Sequence, residues 1–210
     1  MPTRRRAGTA GLVLHVLNRA VRRAPLFERD ADYQAFIETL IEAQTRHPVR
    51  LLAYCVMPNH FHFVLWPRFE GDLSRFMCWL TATHSKRWHA FRGSRGTGSV
   101  YQGRYKAFPV QTDTHFLTLC RYVERNPLRA GLVRRSRDWR WSSLHHRCKN
   151  FDRPLLDPWP ILPPSNWEEL LDQAERDVDV SRLRRCVRRN APFGEGPWVL
   201  RQSPDVDSRR

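Results

Sequence analysis

The chain has 210 residues, 41% of them hydrophobic, and its Lys and Arg number 36 against 21 acids, a net charge of +15. That length suits one ordinary domain with an extension, or two small domains. The apolar share excludes a wholly disordered chain, and no apolar run reaches the roughly 20 residues that span a bilayer. The excess charge, mostly Arg, favours a polyanionic partner through counterion release and bidentate phosphate contacts, and nucleic acid is the commonest such partner.

In chain order, "MPTRRRAGTAGLVLHVLNR" has basic residues followed by apolar ones. The apolar part is short and interrupted by His15 and Asn18, so no secretory signal peptide is expected. "GLVLHVLNR" (11–19) has strand composition. Asp30 or Asp32 caps an expected helix whose Phe36, Ile37, Leu40 and Ile41 recur at helical spacing, ending near His47-Pro48. "VRLLAYCVM" (49–57) is a second strand, Pro58-Asn59 a turn, and "HFHFVLW" (60–66) a third strand that pairs with the second as a hairpin. Phe76, Leu80 and Trp88 place a helix over 73–91, and "RGSRGTGS" (92–99) is a positive, Gly-rich loop. "RYKAFPV" (104–110) is a fourth strand that Pro109 assigns to an edge. "TDTHFLTLCRYVERN" (112–126) is a helix, stopped or kinked where Pro127 disfavours helical geometry at Asn126.

The order β-α-β-β-α-β-α predicts an α+β fold: a ferredoxin-like split βαβ core with one antiparallel sheet, helices packed on it, and a helical C-terminal extension. The domain reading is a core over 1–146 and a basic, Trp- and Pro-rich extension over 147–210. Helices are expected from about Trp167 to Arg176 and around Ser181 to Arg189, and disorder over the closing "SPDVDSRR". The five cysteines, Cys55, Cys78, Cys120, Cys148 and Cys186, form no C-x-x-C pair. That pattern fits reduced thiols in a cytoplasmic protein and argues against a disulfide framework or a structural zinc site.

Side chains alternate along a strand, so His60 and His62 share one face while Phe61, Phe63 and Leu65 share the other. Their Cα atoms lie about 7 Å apart, a separation from which two imidazoles reach one divalent ion. The competing reading is a pair of imidazoles facing solvent on a half-exposed sheet, and the H-x-H pattern alone does not separate the two. On the helix over 112–126, Phe116, Leu119, Cys120 and Val123 form the buried stripe. Tyr122 and Asn126 lie one turn apart on its flank. Tyr122 is there either a nucleophile reaching a cleft or an amphipathic rim residue. Asn126 is either an oxygen donor to a cation or the N-cap of a short turn from Pro127 to Gly131.

The segments "AYCVMPNHFHFVLWP", "VYQGRYKAFPV", "LCRYVERNPLRAGLV" and "WRWSS" resemble the signature blocks of the REP-associated tyrosine transposases. These are single-stranded-DNA transposases with a His-hydrophobe-His motif and one catalytic tyrosine. The likeness covers roughly residues 4 to 146, in order; Leu14 stands where an aromatic is common and Ala20 where Gly is usual. The resemblance implies that His60 and His62 bind Mg²⁺ or Mn²⁺, that Tyr122 attacks the scissile phosphate to give a 5′-phosphotyrosine, and that Asn126 completes the site. It implies a hairpin-forming palindrome with a single-stranded DNA flank as partner. Gln102, Arg104 and Lys106, Arg4, Arg5 and Arg6, and Arg92 and Arg95 are the candidate DNA contacts, each weighed against a merely solvated side chain. Either a monomer or a homodimer suits this reading.

Three rivals stand beside it. A split βαβ sheet with exposed aromatics is also an RNA-recognition platform. A domesticated relative would bind DNA or RNA hairpins without cleaving. A zinc hydrolase would need more ligands than the two histidines and has no HExxH pattern. The reading chosen is a metal-dependent single-stranded-DNA transposase or endonuclease that cleaves and rejoins beside palindromic hairpins.

Overall fold

The structure is a computed structural model and describes residues 8–151, 156–174 and 177–202. Four strands form its sheet: β1 (Val13–Arg19), β2 (Arg50–Met57), β3 (His60–Trp66) and β4 (Lys106–Val110), in the order β2-β3-β1-β4. Every neighbouring pair is antiparallel. The order follows from two interleaved split βαβ units, with α1 (Asp30–Arg46) joining β1 to β2 and α2 (Asp72–Arg92) joining β3 to β4. The expected ferredoxin-like core is present, and Pro109 does lie on an edge strand.

Local chemistry fixes the element ends. Asp32, third in α1, turns its carboxylate back to accept from the Glu28 and Arg29 backbone N–H groups at 3.0 and 3.2 Å, satisfying donors the helix start leaves open. Helix α2 ends at Gly93, whose φ of 61° is the left-handed geometry that closes a helix without Cβ strain.

Alternation along the strands divides the core in two. Leu14, Val16, Phe61, Phe63 and Leu65 meet α1 and α2 through Phe36, Leu40, Phe76 and Leu80. On the other face Val13, Val64, Phe108 and Val110 meet Phe116, Leu119, Cys120 and Val123 of α3 (Thr114–Glu124). A fully buried Phe contributes about 2 kcal/mol by leaving water, and Phe36, Phe61, Phe63, Phe76, Phe108 and Phe116 are all fully buried. With helices on both faces, no open sheet surface remains for the base-stacking mode of an RNA-recognition platform.

The helix expected over 112–126 is two pieces. Helix α3 stops at Glu124, and α4 (Asn126–Arg129) is one further turn with Pro127 near its start. Proline suits a first helical turn, where its missing N–H costs nothing. The N-cap of that turn is Arg125, with Asn126 its first residue.

Beyond residue 140 the chain adds α5 (Ser143–Cys148), α6 (Trp167–Asp172), α7 (Asp177–Arg189) and α8 (Gly196–Gln202). Helix α6 is shorter than the span expected for it, and α5 and α8 carry no periodicity long enough to announce them. Leu171, Leu183 and Phe193 join the same apolar cluster as α3. The "SPDVDSRR" segment lies outside the described residues.

Candidate functional site

The site lies between the α3 face of the sheet and the α3–α4 corner. Strand alternation puts His60 and His62 on that face, as expected, but α3 covers it: His62 is 3% exposed. The half-exposed-sheet alternative therefore fails for His62. The His60 and His62 ring centroids are 4.9 Å apart.

A third histidine joins them. His15 of β1 points to the same face, stacks on His62 at 5.0 Å, and its Nε2 lies 2.8 Å from His62 Nδ1. In the sequence His15 reads only as an interruption of an apolar strand; the cross-strand register that brings it beside His62 is a tertiary fact. His60 is held differently, its Nδ1 lying 2.6 Å from Asn59 Oδ1. An amide oxygen only accepts, so Nδ1 of His60 donates, and the neutral ring keeps its lone pair on Nε2. The same tautomer logic suits His62 if its Nδ1 donates to His15 Nε2.

These imidazoles are neutral at ordinary pH. Burial pushes His15 down to about 3. His60 is pushed to about 3 by burial and then by the Arg19 and Arg129 guanidinium groups. His62 sits well below the usual range through burial, then through His60 and His15, then Arg129 and Arg19. A neutral imidazole is the form that ligates a metal, and orientation by a hydrogen bond at the other ring nitrogen is the usual support for such a ligand. The residues present therefore fit a divalent cation at His60 and His62. Among the described residues, no group of three or more His, Cys, Asp or Glu is arranged to hold a metal, so further ligands would have to be amide, water or substrate oxygens.

Tyr122 of α3 faces the cluster. Its ring centroid is 5.9 Å from that of His62 and 6.3 Å from that of His15. At 7% exposure it is more buried than a residue at the rim of a helix stripe would be. The Arg129 guanidinium covers it, 4.1 Å from its ring centroid. Arg129 also donates to Asn126 Oδ1 at 2.9 Å, while Asn126 Nδ2 is buried and has no partner among the described residues. The four metal and nucleophile candidates, His60, His62, Tyr122 and Asn126, thus come together, and His15 and Arg129 are the members that spacing did not reveal.

The DNA-contact candidates scatter. Gln102 and Arg104 are exposed on the loop before β4, where the Gln102 N–H donates to Arg19 O at 2.9 Å, tying that loop to the end of β1 beside the site. Arg104 also lines a groove of about 1190 Å³ between α2 and this loop, together with Arg75, Trp79, Lys86 and Tyr105. Arg95 is exposed. Arg92 is engaged in ion pairs with Glu28 and Asp32 at 3.1 and 3.2 Å. Lys106 donates to the Val187 and Arg188 carbonyls at the end of α7. Arg4, Arg5 and Arg6 lie outside the described residues.

A family model described as "Transposase IS200 like" matches residues 9–126. A REP-associated tyrosine transposase of Escherichia coli (strain K12) is 25% identical over 117 residues, which is 54% of this chain and 65% of that protein. The chain thus spans just under two thirds of that relative's length. A solved structure described as a REP-associated tyrosine transposase bound to a REP hairpin superposes with a TM-score of 0.56 at 20% identity, over 78% of this chain and 93% of that one. At that identity the likeness concerns the fold. No described helix is long and apolar enough to cross a membrane.

Proposed function

The chain belongs to the IS200-like transposase family, and on that premise we propose that it cleaves and rejoins single-stranded DNA beside hairpin-forming palindromes through a tyrosine nucleophile. The observation that carries this reading is the meeting of Tyr122 with the histidine pair, 5.9 Å between the Tyr122 and His62 ring centroids, from elements far apart in sequence. The hairpin named with the similar solved structure supports a hairpin as the ligand here, and the net charge of +15 suits it.

His60 and His62 would hold Mn²⁺ or Mg²⁺, with Asn126 as a further oxygen donor. When bound, such an ion polarises the scissile phosphate and offsets the charge that develops on it. Imidazole ligands favour Mn²⁺ over the oxygen-seeking Mg²⁺. Tyr122 Oη forms a bond to phosphorus while the bond from phosphorus to O3′ breaks. The phenol loses a proton, and the departing 3′-oxygen gains one. The product is a 5′-phosphotyrosine and a free 3′-hydroxyl, and attack by that hydroxyl or another reverses the step. Neutral His15 orients His62 from behind, and the buried setting strengthens each electrostatic contact made to the phosphate.

The test uses a labelled oligonucleotide carrying a hairpin and single-stranded flank from beside the protein's own gene. With Mn²⁺, wild type is expected to give a covalent protein–DNA adduct that EDTA suppresses and Tyr122→Phe abolishes. Tight hairpin binding with no adduct would favour the non-cleaving DNA- or RNA-hairpin binder instead. An adduct that survives Tyr122→Phe would remove Tyr122 as the nucleophile.

A further inference from the structure

Helix α7 has two opposed faces. Val180, Leu183 and Val187, at i, i+3 and i+7, turn into the apolar cluster shared with α3. Arg184, Arg185, Arg188 and Arg189 are all exposed, and at 3.6 residues per turn they cover an arc of about 140° on the outer side. No acidic residue occurs between Asp179 and Glu195 to interrupt that arc. Arg184 and Arg188 stand four apart, as do Arg185 and Arg189, a spacing at which like charges repel along a helix. A single-signed arc of this kind is favoured beside a polyanion.

A disordered arginine tail would also attract DNA, but this helix is fixed in place. Its Leu183 is fully buried. Arg182 donates to Gly194 O and lies 5.4 Å from the Phe193 ring centroid, and the Phe193 N–H in turn donates to Pro109 O of β4. At the C-terminal end of α7, Lys106 Nζ donates to the Val187 and Arg188 carbonyls at 3.3 and 3.2 Å. Those carbonyls belong to the negative end of the helix dipole, so Lys106 offsets the part of α7 that would repel a phosphate. Lys106 also sets where that end lies. It stands opposite Leu17 of β1, which stands opposite His62 of β3, so the three side chains leave one face of the sheet in one row. Two strand spacings put the Lys106 Cα about 10 Å from that of His62. The basic arc therefore begins beside the histidine pair and leads away from it.

We propose that Arg184, Arg185, Arg188 and Arg189 form a rail for the duplex stem of the hairpin, gripping its phosphates while the single-stranded flank enters the histidine site. Helix α7 has no aromatic side chain on which an unpaired base could stack. Its outer face therefore suits the backbone of paired DNA, where phosphate contacts set position and orientation without reading sequence. This rests on the reading of a hairpin as the ligand, and it gives the C-terminal segment a part in holding that ligand.

The rail is tested by equilibrium binding in EDTA, with fluorescence anisotropy over a range of salt concentrations. One probe is the hairpin oligonucleotide with its flank. The other keeps the flank but has one arm of the stem scrambled, so that no duplex forms. Wild type is expected to bind the hairpin more tightly. A variant combining Arg184→Gln, Arg185→Gln, Arg188→Gln and Arg189→Gln keeps good helix formers on the arc. It should lose affinity for the hairpin on the order of 10–100-fold, with a logarithmic salt slope smaller by about 3 to 4, and lose much less for the unpaired probe. Arg184→Lys, Arg185→Lys, Arg188→Lys and Arg189→Lys together should keep the slope. If the four-Gln variant melts below wild type, Arg184→Gln with Arg188→Gln and Arg185→Gln with Arg189→Gln are read as pairs, each with about half the slope change. An unchanged hairpin slope in folded variants would overturn the rail, and so would an equal loss on both probes. Wild type that binds the hairpin but never forms the Mn²⁺-dependent adduct would sink the strand-transfer reading and leave the rail standing on its slope change. Wild type with no preference for the hairpin would overturn both.

Discussion

His15 shows how one residue changes meaning between strand and site. Its side chain is fully buried, with Nδ1 lacking a partner among the described residues and Nε2 shared with His62. A buried polar atom without a partner costs on the order of 1–3 kcal/mol, which a Leu or Val at this strand position would avoid. Its retention is explained if it fixes the tautomer and ring plane of His62. His15→Leu is therefore expected to leave the sheet intact and to lower Mn²⁺ affinity in the presence of the hairpin by about 10–100-fold, the usual effect of losing a ligand's supporting hydrogen bond. A Mn²⁺ titration that matches wild type would show that His15 is core packing only. Cys55 and Cys120 belong to the opposite category: burial pushes both thiols well up, which keeps them inert beside the site.

Among the elements, α3 has the densest set of obligations. One flank carries Tyr122 toward the histidines, and Glu124, two residues on, is fully buried on another side. The Glu124 carboxylate accepts from Ser143 Oγ at 2.5 Å, from Trp167 Nε1 at 2.9 Å, and from the Arg147 guanidinium. One residue thus fastens α5 and α6 to the helix that presents the nucleophile. Glu124→Ala would strip an acceptor from three donors and leave Arg147 without its anion. Removing one partner of such a pair costs about 3 kcal/mol or more. The expected result is a lower urea midpoint, together with weaker adduct formation as α3 loosens. An unchanged midpoint would show that this network contributes nothing net. The sequence marked α3 clearly through its apolar stripe, yet it could not mark α5, because six residues are too few for a period to stand out.

Over the whole molecule, the segment after residue 138 closes both edges of the sheet. At the β2 edge, Val56 N–H donates to Trp141 O, Trp139 Nε1 to Val56 O, and Trp159 Nε1 to Leu52 O. At the β4 edge, Phe193 N–H donates to Pro109 O and Gln111 N–H to Phe193 O. Unpaired edges invite other strands, so these contacts stitch the described part of residues 147–210 into the domain beside the core. The buried histidines have a further global effect. His84, bonded to Tyr101 Oη at 2.7 Å, is pushed down to about 3 by burial and then by Arg92, as His15 is by burial alone. Unfolded histidine titrates near 6.5. Their folded-state pKa values are depressed, so stability is complete above about 6.5 and is lost as pH falls from there toward 3, because the unfolded chain binds the extra protons. At pH 5 this amounts to about 2 kcal/mol for each. Urea unfolding at pH 7.5 and pH 5 should show the drop, and His84→Gln should reduce it; equal midpoints at the two pH values would contradict the buried, neutral assignment.

What the sequence determined by itself was whatever depends on short-range periodicity and on contiguous motifs. The order of strands and helices, the edge position of β4 from Pro109, the shared face of His60 and His62, and Tyr122 and Asn126 one turn apart all follow from steric rules that act within a few residues. Tertiary structure alone decided that a helix covers the histidine face, that His15 stacks on His62, that Arg19 stands opposite His60 across the ladder, and that Trp139, Trp141, Trp159 and Phe193 seal the sheet. Each of these joins residues tens of positions apart. Such contacts are fixed by strand register and by the burial of one apolar face against another, and neither leaves a local period in the chain.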